Sequence, residues 1–313
     1  MKPHVLCSAL LVAALGVPAR ARAAEGVALA PTALSATARA RLERDVKALR
    51  VAKPAAFQRV QAVRDRVAEL DRRRRGRLAP VGVLLHGLGK DALLPMLEML
   101  ALDAQPRGTL TDTAWTALHA GLIEAVGALR APEAEPVLRA ILDGSATDST
   151  VVRAAAEALG RLGSDRVATK LIALAATDGP KQRAVLAGMG ECRRAVIADA
   201  LADALAGATD AATAKLLVRS LGTVGNSFAW QTPAVRAHAD EEDRTRARAA
   251  EALLGAFIAW DGEVRQAAVS ALLLVDDAAT PSLVAAARAG ASGELAQALD
   301  ELALRLGKNP LHR

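Results

Sequence analysis

The side chains that could do chemistry are few and scattered. The chain has five histidines, His4, His86, His119, His238 and His312. No two of them lie three or four residues apart, the spacing that puts two imidazoles on one helical face around a metal ion. His86 and His119 could meet across a groove, but ordinary packing or surface roles account for both. Cys7 and Cys192 are the only cysteines, and Cys7 lies inside an apolar N-terminal run. Cys192 alone can close neither an internal disulfide nor a cysteine zinc site. Its apolar neighbours suit a buried small residue better than a reactive thiol. The segment His86-Gly87-Leu88-Gly89-Lys90 has a superficial likeness to a phosphate-cradling loop, but its glycine spacing is wrong for one. The acidic runs Asp240-Glu241-Glu242 and Asp276-Asp277 fall at expected helix starts, where carboxylates meet exposed amides and need no acid–base role. No serine sits on a small-residue elbow. The sequence therefore supplies no catalytic set, no metal set and no cofactor site.

The elements that would position any of these groups are helices. Ala, Leu, Arg and Glu dominate, there is no Tyr, and only three Phe and three Trp occur. The clearest unit runs from Val152 to Leu174. Val152, Ala155, Ala156 and Leu159 share one helical face, Asp148 or Ser149 can cap the start, and Gly163 suits the left-handed turn that ends the helix. Asp165 can cap a second helix that buries Val167, Leu171 and Leu174. The same pattern recurs with turns at Gly89, Arg130, Gly190, Gly225 and Asp276, separated by 41, 33, 27, 35 and 51 residues when Gly163 is included. Three of these intervals fit a two-helix unit of roughly 30 residues, and the first and last contain insertions. Each unit has an apolar face on both sides and gains stability only by stacking.

The Val-Arg-x-Ala-Ala start, Ala-Leu-Gly centre and Gly-x-Asp turn of Val152–Leu174 resemble the short HEAT-like repeats found in phycobilin lyases and many bacterial repeat proteins. The resemblance covers residues 82–290, strongest at 151–175 and 262–287. It implies an all-α fold, a curved α–α superhelix with atypical helical caps, often used as a protein-interaction scaffold. The motif carries no catalytic residue to transfer. Asp276, where the pattern has glycine, leaves the geometry of the last turn open.

Outside the repeat, residues 24–81 hold a leader, two expected helices and a basic linker. Leu42, Val46 and Leu49 mark the first helix; Phe57, Val60, Val63, Val67 and Leu70 mark the second, starting near Pro54. They are suited to cap the solenoid end. Five arginines then fall within residues 72–77, which could bind an acidic partner, anionic lipid or polymer, or form a solvated linker. Residues 226–242 interrupt the repeat, and Pro233 argues against a continuous helix there. Phe228 and Trp230, with Arg236 and His238, are the candidate hydrophobic contact with a partner; the alternative is that both rings cover neighbouring helices. Arg139, Arg166, Lys170, Arg193 and Arg194 fall on second helices, expected to line the inner face, and could form a positive patch for an acidic protein. Residues 291–313 form a last cap helix and tail.

Residues 1–23 have the parts of a secretory signal peptide: Lys2, the apolar run Val5–Val17 and the Ala21-Arg22-Ala23 cleavage site. Cleavage removes three basic residues and no acid, so 37 basic and 34 acidic residues remain. That balance, with so few aromatic rings, argues against nucleic acid. No later apolar stretch approaches a membrane span. The reading that follows is a non-catalytic exported scaffold, periplasmic or secreted in a bacterium, binding another protein or an envelope component. The alternatives are an enzyme resembling a chromophore lyase and a purely structural spacer.

Overall fold

A computed structural model describes residues 33–103 and 105–310. The expected signal peptide and most of the leader lie outside the described residues, as do positions 311–313. The chain opens with α1 (Ala36–Ala52), α2 (Pro54–Asp65) and α3 (Val67–Arg72). The Ser35 hydroxyl accepts the Ala38 N–H at 3.2 Å at the start of α1. Pro54 opens α2, where its missing N–H removes no helical bond. The single helix expected over 54–70 is interrupted at Arg66.

Helical pairs follow in order. They are α4 (Val81–His86) with α5 (Leu93–Ala101), α6 (Asp112–Ala128) with α7 (Glu135–Asp143), and α8 (Ser149–Gly160) with α9 (Asp165–Ala175). Next come α10 (Gln182–Gly188) with α11 (Ala195–Ala206), and α12 (Ala211–Val224), whose partner arrives after a single-turn helix α13 (Ser227–Trp230) and is α14 (Glu242–Ala259). The last pair is α15 (Gly262–Val275) with α16 (Thr280–Ala289), and α17 (Gly293–Gly307) closes the stack against α16 and α15. The fold is all-α, and the stacked pairs form an α-solenoid.

One apolar core runs through the stack from Leu34 to Leu306. First helices α4, α6, α8, α10, α12 and α15 pack in sequence, whereas contact between successive second helices is sparse as far as α11. Small residues make the first-helix approach possible. A Cβ on Gly127 would lie 2.5 Å from Ala158 Cα, one on Gly121 2.7 Å from the Gly82 nitrogen, and one on Gly222 2.9 Å from Ala271 Cβ. Alanine and glycine thus trade apolar area per residue for close backbone approach.

All six turn positions from the sequence join two helices, but not for one reason. Gly89, Arg130, Gly163 and Asp276 have positive φ. Asp276 therefore makes the left-handed turn without glycine, a conformation Asp tolerates better than most residues. Gly190 and Gly225 do not have positive φ. A Cβ there would press on the Ser220 carbonyl oxygen and on Val275 Cγ2, so their role is close packing. At the start of α8 the Asp148 carboxylate accepts the Thr150 and Val151 N–H groups at 2.8 and 3.1 Å. The cap of α9 is Ser164, whose hydroxyl accepts from Val167, rather than the expected Asp165.

Candidate binding surfaces

Along the turn edge of the solenoid, cations are held by neighbouring units. Arg130 donates to the Arg161 carbonyl at 2.7 Å, and Arg161 Nε donates to Glu191 at 3.4 Å. The buried Arg193 also reaches Glu191, at 3.0 Å. Arg194 donates to the Gly163 carbonyl at 3.0 Å and pairs with Asp165 at 2.6 Å and Glu241 at 2.7 Å. The second oxygen of Glu241 accepts the Ala195 N–H at 2.7 Å, which caps α11 from a distant part of the chain. Arg246 donates to the carbonyls of Val275 and Asp276, holding the last turn. Burial acts to raise the pKa of Glu241, but hydrogen bonds from Arg194 and Ala195 overcome it and hold the carboxyl below its usual range. Glu191 behaves alike: burial opposes ionisation, and Arg193 and Arg161 prevail.

Residues 226–241 form a strap on this edge. The Ser227 hydroxyl donates to the Leu274 carbonyl at 3.2 Å, and the His238 ring lies beside Gly163, close to where its Cβ would stand. Trp230 is only 2% exposed, and its indole N–H donates to the Val224 carbonyl at 3.0 Å. Phe228 is 40% exposed and Arg236 is exposed. The four residues expected to form one contact therefore divide: Trp230 packs inside, His238 lies half-buried on a turn, and Phe228 and Arg236 face outward.

The five cations expected as one positive patch also divide. Arg139 and Arg166 share the Glu135 carboxylate at 3.4 and 2.6 Å, and Lys170 pairs with Asp143. Arg193 and Arg194 belong to the turn edge. The second-helix face is a neutralised lattice because carboxylates on α7 face the cations of α9.

A groove of about 840 Å³ opens instead on the first-helix layer. It spans four units, lined by α8, by α10, which at 7 residues is shorter than its neighbours at 12 and 14, by α12 and by the start of α15. Arg153, Arg183, Lys215 and Arg219 line it with Glu157 and Glu263. Arg153 stands 3.4 Å from Glu157, and Lys215 2.5 Å from Glu263. Arg183 donates to the Thr213 hydroxyl at 3.0 Å. The Arg219 guanidinium is exposed and makes no ion pair or hydrogen bond among the described residues; its backbone carbonyl accepts the Thr223 hydroxyl. Burial raises the pKa of Glu157 and of Glu124 one unit earlier, against the opposing pull of Arg153 and Arg161. The sequence gives no obvious signal for this groove, because its residues come from helices expected to face outward.

Residues 109–189 match a family model described as HEAT repeats. The match runs from the approach to α6 through α10. No curated protein matches the chain. Among the described residues, no group of three or more His, Cys, Asp or Glu could hold a metal ion. His119 is buried with its ring 4.2 Å from Trp115 in an edge-on contact, while His86 is exposed. Cys192 is buried, and burial pushes its thiol up to about 12, so it stays protonated at neutral pH.

The near balance of total charge conceals a polarity. Residues 33–80 carry 14 basic and 5 acidic side chains, whereas residues 81–310 carry 22 basic and 28 acidic ones. The helical cap at the N-terminal end is strongly positive and the stack is negative.

Proposed function

We propose that the chain is an exported, non-catalytic scaffold, periplasmic or secreted in a bacterium, that holds a protein partner or an envelope component along the first-helix groove. The finer likeness of its repeat to short bacterial HEAT-like repeats supports a role in assembly. The observation that carries the reading is the groove itself. Cations from α8, α10 and α12 border one continuous hollow, and Arg219 keeps its charge unengaged by any side chain at contact distance. An acidic segment laid across these units would be attracted over distance and weakened by salt.

The test is recovery of a partner from an envelope extract by the native chain and by the Arg183→Glu/Arg219→Glu variant. The expected result is a defined partner retained by the native chain and lost by the equally folded variant. Retention by both, or no partner under several gentle conditions, contradicts the reading. Covalent attachment of a tetrapyrrole to an acceptor protein, dependent on this chain, would favour the lyase-like enzyme instead.

A further inference from the structure

The positive end of the molecule differs from its other charged regions in leaving several arginines unengaged. All five acids of residues 33–80 are paired: Glu43 with Arg39, Asp45 with Arg41, Asp65 with Arg64, Glu69 with Arg73, and Asp71 with Arg74. The side chains of Arg59, Arg66, Arg72, Arg75 and Arg77 are exposed and make no ion pair or hydrogen bond among the described residues. Arg59 lies on α2 and Arg66 at the break between α2 and α3.

The basic run is anchored rather than a free linker. Asp71 is buried and accepts from the Thr111 and Thr113 hydroxyls, both at 2.9 Å, at the N-terminal turn of α6. Arg74 pairs with Asp71 at 2.6 Å, and Gly76, at φ +102°, reverses the chain between Arg75 and Arg77. Arg72, Arg75 and Arg77 are thereby held outward around a fixed point. None of them lines the hollows that open between α1 or α2 and α5. The helix that follows leaves Val83 74% exposed, with Leu84 beside it also exposed. The cap's only aromatic ring, Phe57, is buried under the Arg50 guanidinium, so no ring is offered for stacking on bases.

We propose that this basic cap docks on the surface of an anionic lipid bilayer, with Arg59, Arg66, Arg72, Arg75 and Arg77 at the headgroups and Val83 and Leu84 at the polar–apolar boundary. Unengaged charge that stands outside the cap's hollows suits an extended anionic surface, and arginines near such a surface add their attractions. No helix among the described residues is long and apolar enough to cross a membrane, so the association is peripheral. The acidic stack would be held away from the same surface.

The experiment is flotation of the chain from residue 24 onward with phosphatidylcholine vesicles, with and without about 30% phosphatidylglycerol, at low and moderate salt. Binding is expected only with phosphatidylglycerol and should weaken as salt rises. The Arg72→Gln/Arg75→Gln/Arg77→Gln variant should bind roughly a hundredfold more weakly. The corresponding three Arg→Lys substitutions should restore binding, because charge rather than guanidinium geometry is required. Circular dichroism checks that both variants fold. Equal binding to neutral vesicles, an undiminished Gln variant, or no vesicle binding at low salt overturns the proposal. Binding to duplex DNA without vesicle binding assigns the cap to nucleic acid instead. Salt-reversible self-association without vesicle binding assigns it to the acidic stack of a second copy, and either outcome overturns the lipid proposal.

Discussion

Arginine does opposite work at the turn edge and in the N-terminal cap. At the turn edge Arg130, Arg161, Arg194 and Arg246 each reach a carbonyl or carboxylate about one repeat away along the chain, and are fixed by it. In the cap, acids are too few to engage every arginine, and the charge of Arg59, Arg66, Arg72, Arg75 and Arg77 stays in solvent. The repeat geometry explains the difference. Stacking brings the same turn of successive units together, so a cation at one turn finds the backbone of the next. The cap has no such neighbour on its outer side. An arginine count alone therefore says little about a binding surface until its partner one repeat away is known.

The largest effects should come from breaking packing on the turn edge and the first-helix layer. Trp230→Ala should destabilise the chain by about 4 kcal/mol in urea denaturation, since it removes a fully buried ring and leaves the Val224 carbonyl without its donor. Phe228→Ala should change stability by less than about 1 kcal/mol, because that ring is partly exposed. If the two variants lose equal stability, the division of the strap into an inner and an outer ring is wrong. Gly127→Ala should destabilise by about 2 kcal/mol, since its methyl group would meet the backbone of Ala158 and push α6 from α8.

The pH dependence should be smaller and divided. Glu191 and Glu241, held low, add stability that is complete above the unfolded glutamate value near about 4.3 and lost as pH falls through their lower folded values. Glu124 and Glu157, pushed up by burial, act in reverse: their destabilisation is complete above their folded values and relieved as pH falls towards the unfolded value. Urea midpoints followed from neutral to acid pH should therefore show Glu157→Gln flattening the mildly acidic limb and Glu241→Gln flattening the limb below it. The smallest effect should be on the groove. Arg183→Gln/Arg219→Gln should leave stability within about 0.5 kcal/mol, because both side chains are exposed and the one hydrogen bond lost, Arg183 to Thr213, lies at the surface.

Much of the fold was legible because helical pairs announce themselves locally. The turns at Gly89, Arg130, Gly163, Gly190, Gly225 and Asp276 were placed from residue type and flanking apolar faces alone. What the sequence hides is which unit a side chain meets. Arg194 has the same local signature as a surface arginine, yet its partners are Gly163, Asp165 and Glu241. Trp230 looked like an anchor because its segment breaks the repeat, and nothing local shows the Val224 carbonyl waiting for its N–H. The polarity of charge was available from a regional count, but the near-neutral total obscured it.

Turn-edge arginines hold the stack together, and the outward cap arginines Arg72, Arg75 and Arg77 do not. The direct measurement compares urea midpoints of Arg194→Ala and Arg72→Gln/Arg75→Gln/Arg77→Gln with the native chain. Arg194 is only 11% exposed, and its removal leaves Glu241 without its main cation. The predicted result is a loss of about 3 kcal/mol for Arg194→Ala and a change within about 0.5 kcal/mol for the cap variant. Equal losses, or an Arg194→Ala chain as stable as the native one, would contradict it.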